Sequence, residues 1–440
     1  MSLEQKVLGK IRPSKKETDL IMKTAERMKK TVTDYLRSHN CDADVMLVGS
    51  VAKGTFLANP DLDVFLMFPE TVPEEEMVRI ALSAGEDILH GERMYAEHPY
   101  TRGIFEGMTV DLVPCYAVKN TGRLMTAVDR TPFHTDYVIS NTDARLRDEI
   151  RLLKVFMKGI GTYGAEPNTR GFSGYLCELL VIFCGGFLGV LKAASEWKEG
   201  VTIATAGRGP AMLGPMVVYD PVDTKRNVAS AVHIDTLATF MAASKKYLEA
   251  PSEKFFFPAE RVLPTDDELR GLVNMRGSRL VTAVFDRPDI NRDNLYSQIW
   301  KTRYAISRKL DSYDFTVLRA VHDMTKTKIV IVFELERDIL SKTFKHIGPP
   351  VWVRSSSSFL EKWKDNEFGG PFIDEGQWNV VAERRHRYVT EMLSDEVSVA
   401  GIGRDIIPET LELLGHEETL SAVGRDILAE LLDPKHPWEI

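Results

Sequence analysis

The sequence predicts an α+β protein of several domains: a mixed-sheet head, a helical middle domain, and a C-terminal α/β sandwich followed by a tail. Apolar runs of period two alternate with helical patterns over the first 142 residues. Residues 143–257 are mostly helical in pattern, and beyond Pro258 helices and strands alternate again. We therefore expect domains at 1–142, 143–257 and 258–440.

Composition indicates an ordinary globular protein, with 44% hydrophobic and 27% charged residues among 440. A net charge of −8 argues against a general nucleic-acid binder, although residues 291–364 carry a local excess of basic side chains that could bind RNA phosphate. The four cysteines form no Cys-x-x-Cys pair, which favours reduced thiols. The first residues lack the apolar core of a signal peptide, and the longest apolar run, 179–191, is shorter than the roughly 20 residues of a membrane span. We expect a cytoplasmic protein that does not enter a membrane.

Residues 45–68 read as a strand, a turn with a helix start, and a second strand. The first apolar run ends at Gly49-Ser50, and the second begins with two aspartates one residue apart, Asp61 and Asp63. Side chains alternate along a strand, so both aspartates point the same way. Three apolar residues then face a core: Leu62, Val64 and Leu66.

Two carboxylates in one small volume repel each other, and a divalent cation is the simplest way to neutralise both. Mg²⁺ prefers carboxylates and phosphate oxygens, and the Gly49-Ser50 turn offers N–H groups and a hydroxyl to a phosphate chain. The stretch therefore predicts a site for a nucleoside triphosphate. Taken alone, an Asp-x-Asp pair is also common on solvated strand ends. A Walker A loop is excluded, because Lys53 precedes Gly54.

Asp111 is a candidate third carboxylate, because it lies in the alternating apolar run 109–114, where burying an acid without a partner is costly. An exposed strand aspartate is the alternative. Helices are predicted at 14–38, with Ser14 as N-cap, and at 74–89. Strands are expected at three further places in the head: 93–98, 102–106 and 108–113.

Residues 126–138 read as an irregular segment rich in hydrogen-bonding groups, in which His134 is either solvated or a ligand. Asp143 is the predicted N-cap of a helix that carries Lys154 and Lys158 one turn apart, on a solvated face or toward a site. The apolar residues of its core face are Ile150, Leu153, Phe156 and Met157.

Ser173 is expected to cap one long apolar helix that runs through Leu191. Residues 220–228 predict a turn into another helix, where Arg226 is either an ordinary helix-cap residue or a guanidinium that pairs with a base edge.

The last third alternates strands and helices, and residues 355–358 read as a loop. Strands are predicted at 280–285, 315–321 and 329–335, and helices at 291–310 and from 338 to 344. Aromatic and basic residues interleave around 296–308 and 363–388, as core positions or as a grip on an RNA duplex.

Hydrophobic-Gly-Ser, ten residues, then Asp-hydrophobic-Asp resembles the signature of polymerase β-like nucleotidyltransferases, which join a nucleoside monophosphate to a hydroxyl and release pyrophosphate. Other strings resemble the archaeal class I CCA-adding enzymes, the tRNA nucleotidyltransferases that build or repair the 3′-terminal CCA. These strings are Tyr95-Ala96-Glu97-His98-Pro99-Tyr100, Val113-Pro114-Cys115-Tyr116 and residues 126–138.

The resemblance implies a polymerase β-like head in which Asp61, Asp63 and Asp111 are catalytic and hold two Mg²⁺ ions. It further implies that tRNA, bound by its acceptor end and T stem, receives C, C and A from CTP and ATP without a template, and that the protein is a homodimer. Asp61 and Lys53 stand where archaeal relatives favour Glu and Arg, so the charge is kept. The implied nucleotide-binding residues are Gly49, Ser50, Lys53, His134, Lys154, Tyr163 and Arg226.

Three alternatives share part of this pattern. A poly(A) polymerase would use ATP alone, and a 2′-5′ oligoadenylate synthetase-like enzyme would need no tRNA. A non-catalytic RNA-binding protein on the same scaffold is disfavoured, because all three carboxylates are present.

Overall fold

The computed structural model describes residues 2–95, 98–204 and 207–440. The chain divides into two compact units, one formed by residues up to Glu260 together with His436–Ile440, and the other by Arg261–Lys435. This division into two does not test the three predicted domain ranges, which remain a prediction.

The first unit contains a mixed sheet and the helices around it. Its elements up to the end of the sheet region are α1 (Leu3–Ile11), α2 (Lys15–Ser38), β1 (Asp44–Val48), α3 (Gly49–Lys53), β2 (Leu62–Phe68), α4 (Glu74–Leu89), β3 (Glu92–Tyr95), β4 (Pro99–Phe105), β5 (Met108–Tyr116) and α5 (Thr131–Ser140).

The five strands lie in the order β1-β2-β5-β4-β3. β2 and β5 are parallel, and the other neighbours are antiparallel. The predicted strand at 93–98 covers Ala96 and Glu97, which lie outside the described residues.

One face of the sheet is covered by α2 and α4, which match the helices predicted at 14–38 and 74–89. α2 begins where expected, because the Ser14 side chain accepts from the backbone N–H of Glu17 while the Glu17 carboxylate accepts from the backbone N–H of Ser14. Leu62, Val64 and Leu66 are fully buried in this core, which confirms their predicted direction.

The rest of the first unit is mostly helical. Its elements are α6 (Ala144–Gly159), α7 (Gly174–Cys184), α8 (Phe187–Ser195), β6 (Val201–Ala204), β7 (Met216–Tyr219) and α9 (Ile234–Glu249). Asp143 caps α6 through the backbone N–H of Leu146, as predicted. The four residues predicted for its core face are fully buried: Ile150, Leu153, Phe156 and Met157.

The single long helix predicted from Ser173 through Leu191 is wrong. Gly185 and Gly186 have φ angles of 77° and 147°, which a helix cannot contain, so the chain forms α7 and α8 with a 90° bend. Among the described residues no single helix is long and apolar enough to cross a membrane, and this bent pair passes only when its two helices are taken together.

The second unit contains two sheets. Its elements are α10 (Asp266–Arg276), β8 (Arg279–Asp286), α11 (Arg292–Ser312), β9 (Val317–Met324), β10 (Lys328–Leu335), β11 (Thr343–Pro350), α12 (Ser356–Trp363), β12 (Phe372–Asp374), β13 (Gln377–Glu383), α13 (Val389–Glu396), β14 (Glu412–Leu414), α14 (His416–Ala422) and α15 (Arg425–Leu432).

A four-stranded sheet in the order β14-β8-β10-β9 is packed between helices on both faces, which fits the predicted sandwich. α12 packs on the smaller sheet, β11-β13-β12. Two local predictions are wrong here. Residues 338–344 form no helix, because their backbone pairs with 387–389 through Leu340 and Asp338 before entering β11. Residues 355–358 are not a loop, since they include the first turn of α12.

Candidate active site in the mixed sheet

The three predicted carboxylates lie at one end of the two parallel strands. In the register of the sheet Asp63 on β2 is opposite Asp111 on β5, and Val48 at the end of β1 is opposite Asp63 from the other side. Asp61 directly precedes β2, and its side chain is 51% exposed. The parallel pairing of β2 and β5 therefore brings together two acids, Asp63 and Asp111, that are 48 residues apart in the sequence.

The other two carboxylates act on Asp63. Burial, together with the neighbouring carboxylates of Asp111 and Asp61, raises the pKa of Asp63 to about 7, despite opposing contributions from Lys53 and Arg102. A carboxylate whose proton is this hard to remove is poorly solvated and lies beside other negative charges.

Gly49 shows how closely the turn after β1 approaches the second carboxylate. A Cβ atom on Gly49 would lie 1.8 Å from Asp63 Oδ2, and the residue has φ +69°, a conformation that favours glycine. The predicted strand, turn with helix start, and strand is confirmed, with α3 beginning at this glycine. Only glycine fits between the turn and the carboxylate.

Arg102 on β4 is a site residue that the sequence reasoning missed. Its guanidinium donates two parallel hydrogen bonds to Asp111, with Nε to Oδ1 at 2.7 Å and NH2 to Oδ2 at 2.6 Å, and it lies 3.8 Å from Asp61 Oδ2. The hydrogen bonds to Asp111 raise the pKa of Arg102. Arg102 is the register partner of Asp111, so a basic residue in the strand predicted beside the third carboxylate was the available signal.

A cavity of about 340 Å³ opens above these groups. Six of the predicted site residues line it, together with Arg102 and Lys158. The six are Ser50, Asp61, Asp63, Asp111, Lys154 and Tyr163. Lys158 is exposed, and its ammonium lies 5.2 Å from the centre of the Tyr163 ring. Burial raises the pKa of Tyr163, so its phenol keeps the proton and remains a donor.

Lys53 and Lys154 both bind a buried acid, Glu178 on α7. Lys53 Nζ is 2.9 Å from Glu178 Oε2, and Lys154 Nζ is 3.0 Å from Oε1, which also accepts from the Thr55 hydroxyl at 2.6 Å. The two lysines are only 6% and 3% exposed. Burial alone would raise the pKa of Glu178, but Lys154, Lys53 and the Thr55 hydrogen bond lower it to about 2.

Glu178 was also missed, because in the sequence it is one acid in a long apolar helix with no visible partner. Two ammonium groups and one carboxylate leave a net charge of +1 at this position. The site is therefore less positive than its two lysines suggest.

His134 and Arg226 meet at a second buried acid, Asp220. His134 Nε2 donates to Asp220 Oδ2 at 2.8 Å, Arg226 NH1 donates to the same oxygen at 3.1 Å, and the Tyr175 hydroxyl donates to Oδ1 at 3.1 Å. Burial lowers the pKa of His134, which makes the neutral ring the form present at neutral pH. Burial raises the pKa of Asp220, but the hydrogen bond from His134 and its other partners bring it below its usual value.

Tyr175 connects this cluster to the lysines. Its ring stacks on the His134 ring, with 4.0 Å between the two ring centres. Lys53 Nζ, which is bonded to Glu178, lies 5.2 Å from the centre of the Tyr175 ring. Four predicted site residues are not among the described residues that line the 340 Å³ cavity: Gly49, Lys53, His134 and Arg226.

The two predictions of local structure around these residues need correction. Residues 127–130 form a 3₁₀ turn and 131–140 form α5, because buried Asp129 accepts from the backbone N–H groups of Met125 and Thr126 and Pro132 suits a helix start. His134 is thus on a helix. Residues 220–228 turn back to pair with β7 at Asn227, and the next helix begins only at Ile234.

The donors present suit a hard divalent cation. Three carboxylates face one guanidinium, which leaves a net charge of −2 on oxygen ligands of the kind that Mg²⁺ prefers. Within residues 2–95, 98–204 and 207–440, however, no three His, Cys, Asp or Glu side chains already stand in an arrangement that could hold a metal ion. Arg102 occupies both oxygens of Asp111 instead.

Three family models match successive parts of the chain. Residues 27–134 match the nucleotidyltransferase domain family, 148–257 the second domain of tRNA nucleotidyltransferases, and 276–412 the C-terminal domain of CCA-adding enzymes. A CCA-adding enzyme of Picrophilus torridus is 38% identical to the chain, covering 91% of this chain and 92% of its own. One from Methanosarcina acetivorans is 36% identical, covering 92% and 91%.

This chain belongs to the family of CCA-adding enzymes. It is a nucleotidyltransferase with a polymerase β-like head, as the sequence predicts, and the three alternatives are not favoured. Among solved structures, CdnC of E. coli MS115-1 with ATP is similar over 57% of this chain and 90% of its own, at 18% identity and a TM-score of 0.44.

Proposed function

We propose that this CCA-adding enzyme transfers CMP, CMP and AMP in turn from CTP and ATP to the 3′-hydroxyl of tRNA, with chemistry at Asp61, Asp63 and Asp111. The observation that carries the assignment of residues is the parallel pairing of β2 with β5, which sets Asp63 opposite Asp111. Gly49 supports it, because the turn that would contact the triphosphate is pressed against the Asp63 carboxylate.

In the proposed reaction the carboxylates bind the metal ions, and one of them accepts the proton of the 3′-hydroxyl. Nucleotidyltransferases of this superfamily generally use Mg²⁺, and we propose that the three aspartates hold two ions here. When bound, such ions neutralise charge on the entering and leaving oxygens. Asp111 is the proposed acceptor of the 3′-hydroxyl proton. The hydroxyl oxygen bonds to the α-phosphorus as the bond to the pyrophosphate oxygen breaks.

The triphosphate is proposed to lie along the cavity wall formed by Ser50, Lys154, Lys158 and Tyr163. Hydroxyl, ammonium and phenol groups all donate hydrogen bonds to phosphate oxygens. Lys158 has the most freely available charge in this set, because Lys154 is already bonded to Glu178. Lys53 acts from behind the cavity, through the same carboxylate.

Arg226 and His134 are the proposed contacts to the base and the adjacent part of the nucleotide. Asp220 uses one donor of Arg226, and the side chain is still 36% exposed, so further N–H groups of the fork remain available to a base edge. Sharing Asp220 fixes both side chains in one arrangement. Polar groups fixed in this way favour recognition of one hydrogen-bonding pattern over another.

The test is extension of a tRNA that lacks its last three nucleotides, with CTP, ATP and Mg²⁺ and sequencing of the 3′ end. We expect C, C and A in order, followed by a stop. Asp61→Ala/Asp63→Ala should abolish addition, whereas Asp44→Ala on neighbouring β1, where the side chain is exposed, should not. Long A tails would contradict the proposal, and so would full activity in the double variant.

Two further parts of the proposal concern the protein as a whole. We propose a homodimer located in the cytoplasm, and the four free cysteines are compatible with a reducing compartment. Light scattering after size-exclusion chromatography tests the dimer, and a monomer mass at working concentration would refute it.

A further inference from the structure

Arg102 stands where positive charge is most needed. It reaches two of the three proposed metal-binding carboxylates, with a bidentate contact to Asp111 and a 3.8 Å approach to Asp61. Two other cations near the site, Lys53 and Lys154, are bonded to Glu178, and the exposed Lys158 lies beside the Tyr163 ring. Arg102 is therefore the cation that forms ion pairs with these two carboxylates in the structure.

The position of Arg102 is fixed by the sheet and its side chain is not enclosed. β4 pairs with β5 so that Arg102 and Asp111 are register partners, and the guanidinium reaches the carboxylate directly across the ladder. The side chain is 43% exposed, whereas that of Asp111 is 12% exposed. Arg102 can swing toward solvent without unpacking a core, but Asp111 cannot move with it.

We propose that Arg102 is a displaceable counter-ion, which occupies Asp111 until a divalent cation replaces it there. The contact neutralises Asp111, keeps its two oxygens in the plane of the fork, and opposes binding of a cation at the same oxygens by repulsion. A displaceable Arg102 is consistent with the absence, within the described residues, of three side chains already arranged to bind a metal ion. The inference rests on the proposed function, because it takes Asp111 to be a metal ligand.

The test measures Mn²⁺ binding to the protein without nucleotide or tRNA, from the loss of the free Mn²⁺ signal in electron paramagnetic resonance. Arg102→Gln removes the charge and keeps a hydrogen-bond donor. We expect its Mn²⁺ affinity to rise about tenfold over the wild type, because the ion no longer has to displace a charge-assisted contact from Asp111. Arg93→Gln on neighbouring β3, where an exposed Arg93 pairs with Glu86, is the matched control and should bind as the wild type does.

A double variant shows which carboxylate is involved. In an Asp111→Asn background we expect Arg102→Gln to produce no such gain. If Arg102→Gln does not fold, Arg102→Lys takes its place, because lysine keeps the charge but cannot form the two parallel bonds, and we expect about threefold tighter binding.

Failure of the inference is distinct from failure of the proposed function. Equal or weaker Mn²⁺ binding by the Arg102 variant would show that the guanidinium supports the metal site rather than competing for it, and would overturn the inference. A gain that persists in the Asp111→Asn background would also overturn it. Wild-type protein that binds no Mn²⁺ would overturn the proposed metal site itself.

Discussion

Replacing Asp63 by asparagine should make the metal-free catalytic sheet more stable while abolishing catalysis. The folded protein raises the pKa of Asp63 from 3.8 to about 7. The unfolded chain releases this proton near its ordinary pKa, whereas the folded chain keeps it to about pH 7. Unfolding is therefore favoured increasingly as the pH rises through this window, and the full cost applies above about pH 7.

Three pKa units correspond to about 4 kcal/mol, which is an upper value for the gain from Asp63→Asn at pH 8. At pH 5 most of the folded molecules carry the proton, and the expected gain is roughly 2 kcal/mol. The stability advantage of the variant over the wild type should therefore increase by about 2–3 kcal/mol when the pH is raised from 5 to 8. Mg²⁺ should reduce the difference at pH 8, because it stabilises the ionised site in the wild type alone.

Hydrogen exchange read by mass spectrometry measures this stability locally. Peptides from β2 and β5 should exchange more slowly in the variant at pH 8, after correction for intrinsic rates, and peptides from β8 in the other unit should not change. Asp44→Asn on β1, where the side chain is exposed, is the control. A variant no more stable than the wild type at pH 8, or a gain independent of pH, would refute the reasoning.

Three further predictions concern single side chains. Glu178→Gln should lower the free energy of unfolding by about 3–5 kcal/mol, because two buried ammonium groups lose their charged partner. CTP should raise the melting temperature of this variant more than that of the wild type, and equal shifts in the two proteins would count against the prediction. Gly49→Ala should lower the reaction rate at least about 100-fold, because the new methyl group clashes with the Asp63 carboxylate. Gly107 also has a positive φ, +80°, but an added Cβ would have nothing within 4 Å, so Gly107→Ala introduces backbone strain alone and should stay active. Lys158→Ala should raise KM for CTP and ATP about tenfold with little change in kcat, and Lys192→Ala on the exposed face of α8 should leave KM unchanged.

Much of the sheet could be predicted from the sequence, because each strand and helix around it follows a local rule. Alternation gives the direction of Leu62 and Val64, and a serine three residues before a glutamate gives the start of α2. The candidate carboxylates also follow from local spacing, and their register is set by the pairing of β2 with β5.

Ion pairs and hydrogen bonds between residues far apart in the sequence could not be predicted from local patterns. Glu178 is 125 residues from Lys53, and Asp220 is 86 residues from His134, so neither pairing leaves a periodic pattern. The break after α7 was missed for another reason. Two adjacent glycines inside an apolar run permit either a helix or a bend, and tertiary packing decides between them.

Helix α1 belongs to a core that is built much later along the chain. Val7 and Ile11 are buried among residues of α6 to α9, and Glu4 accepts a hydrogen bond from Tyr247, 243 positions away. During synthesis the ribosome therefore releases α1 long before its packing partners exist. Its apolar face therefore stays exposed, or bound to a chaperone, until α9 has been synthesised. The strands of the mixed sheet are all translated in that interval, so the sheet can form before the helix that precedes it has a place to dock.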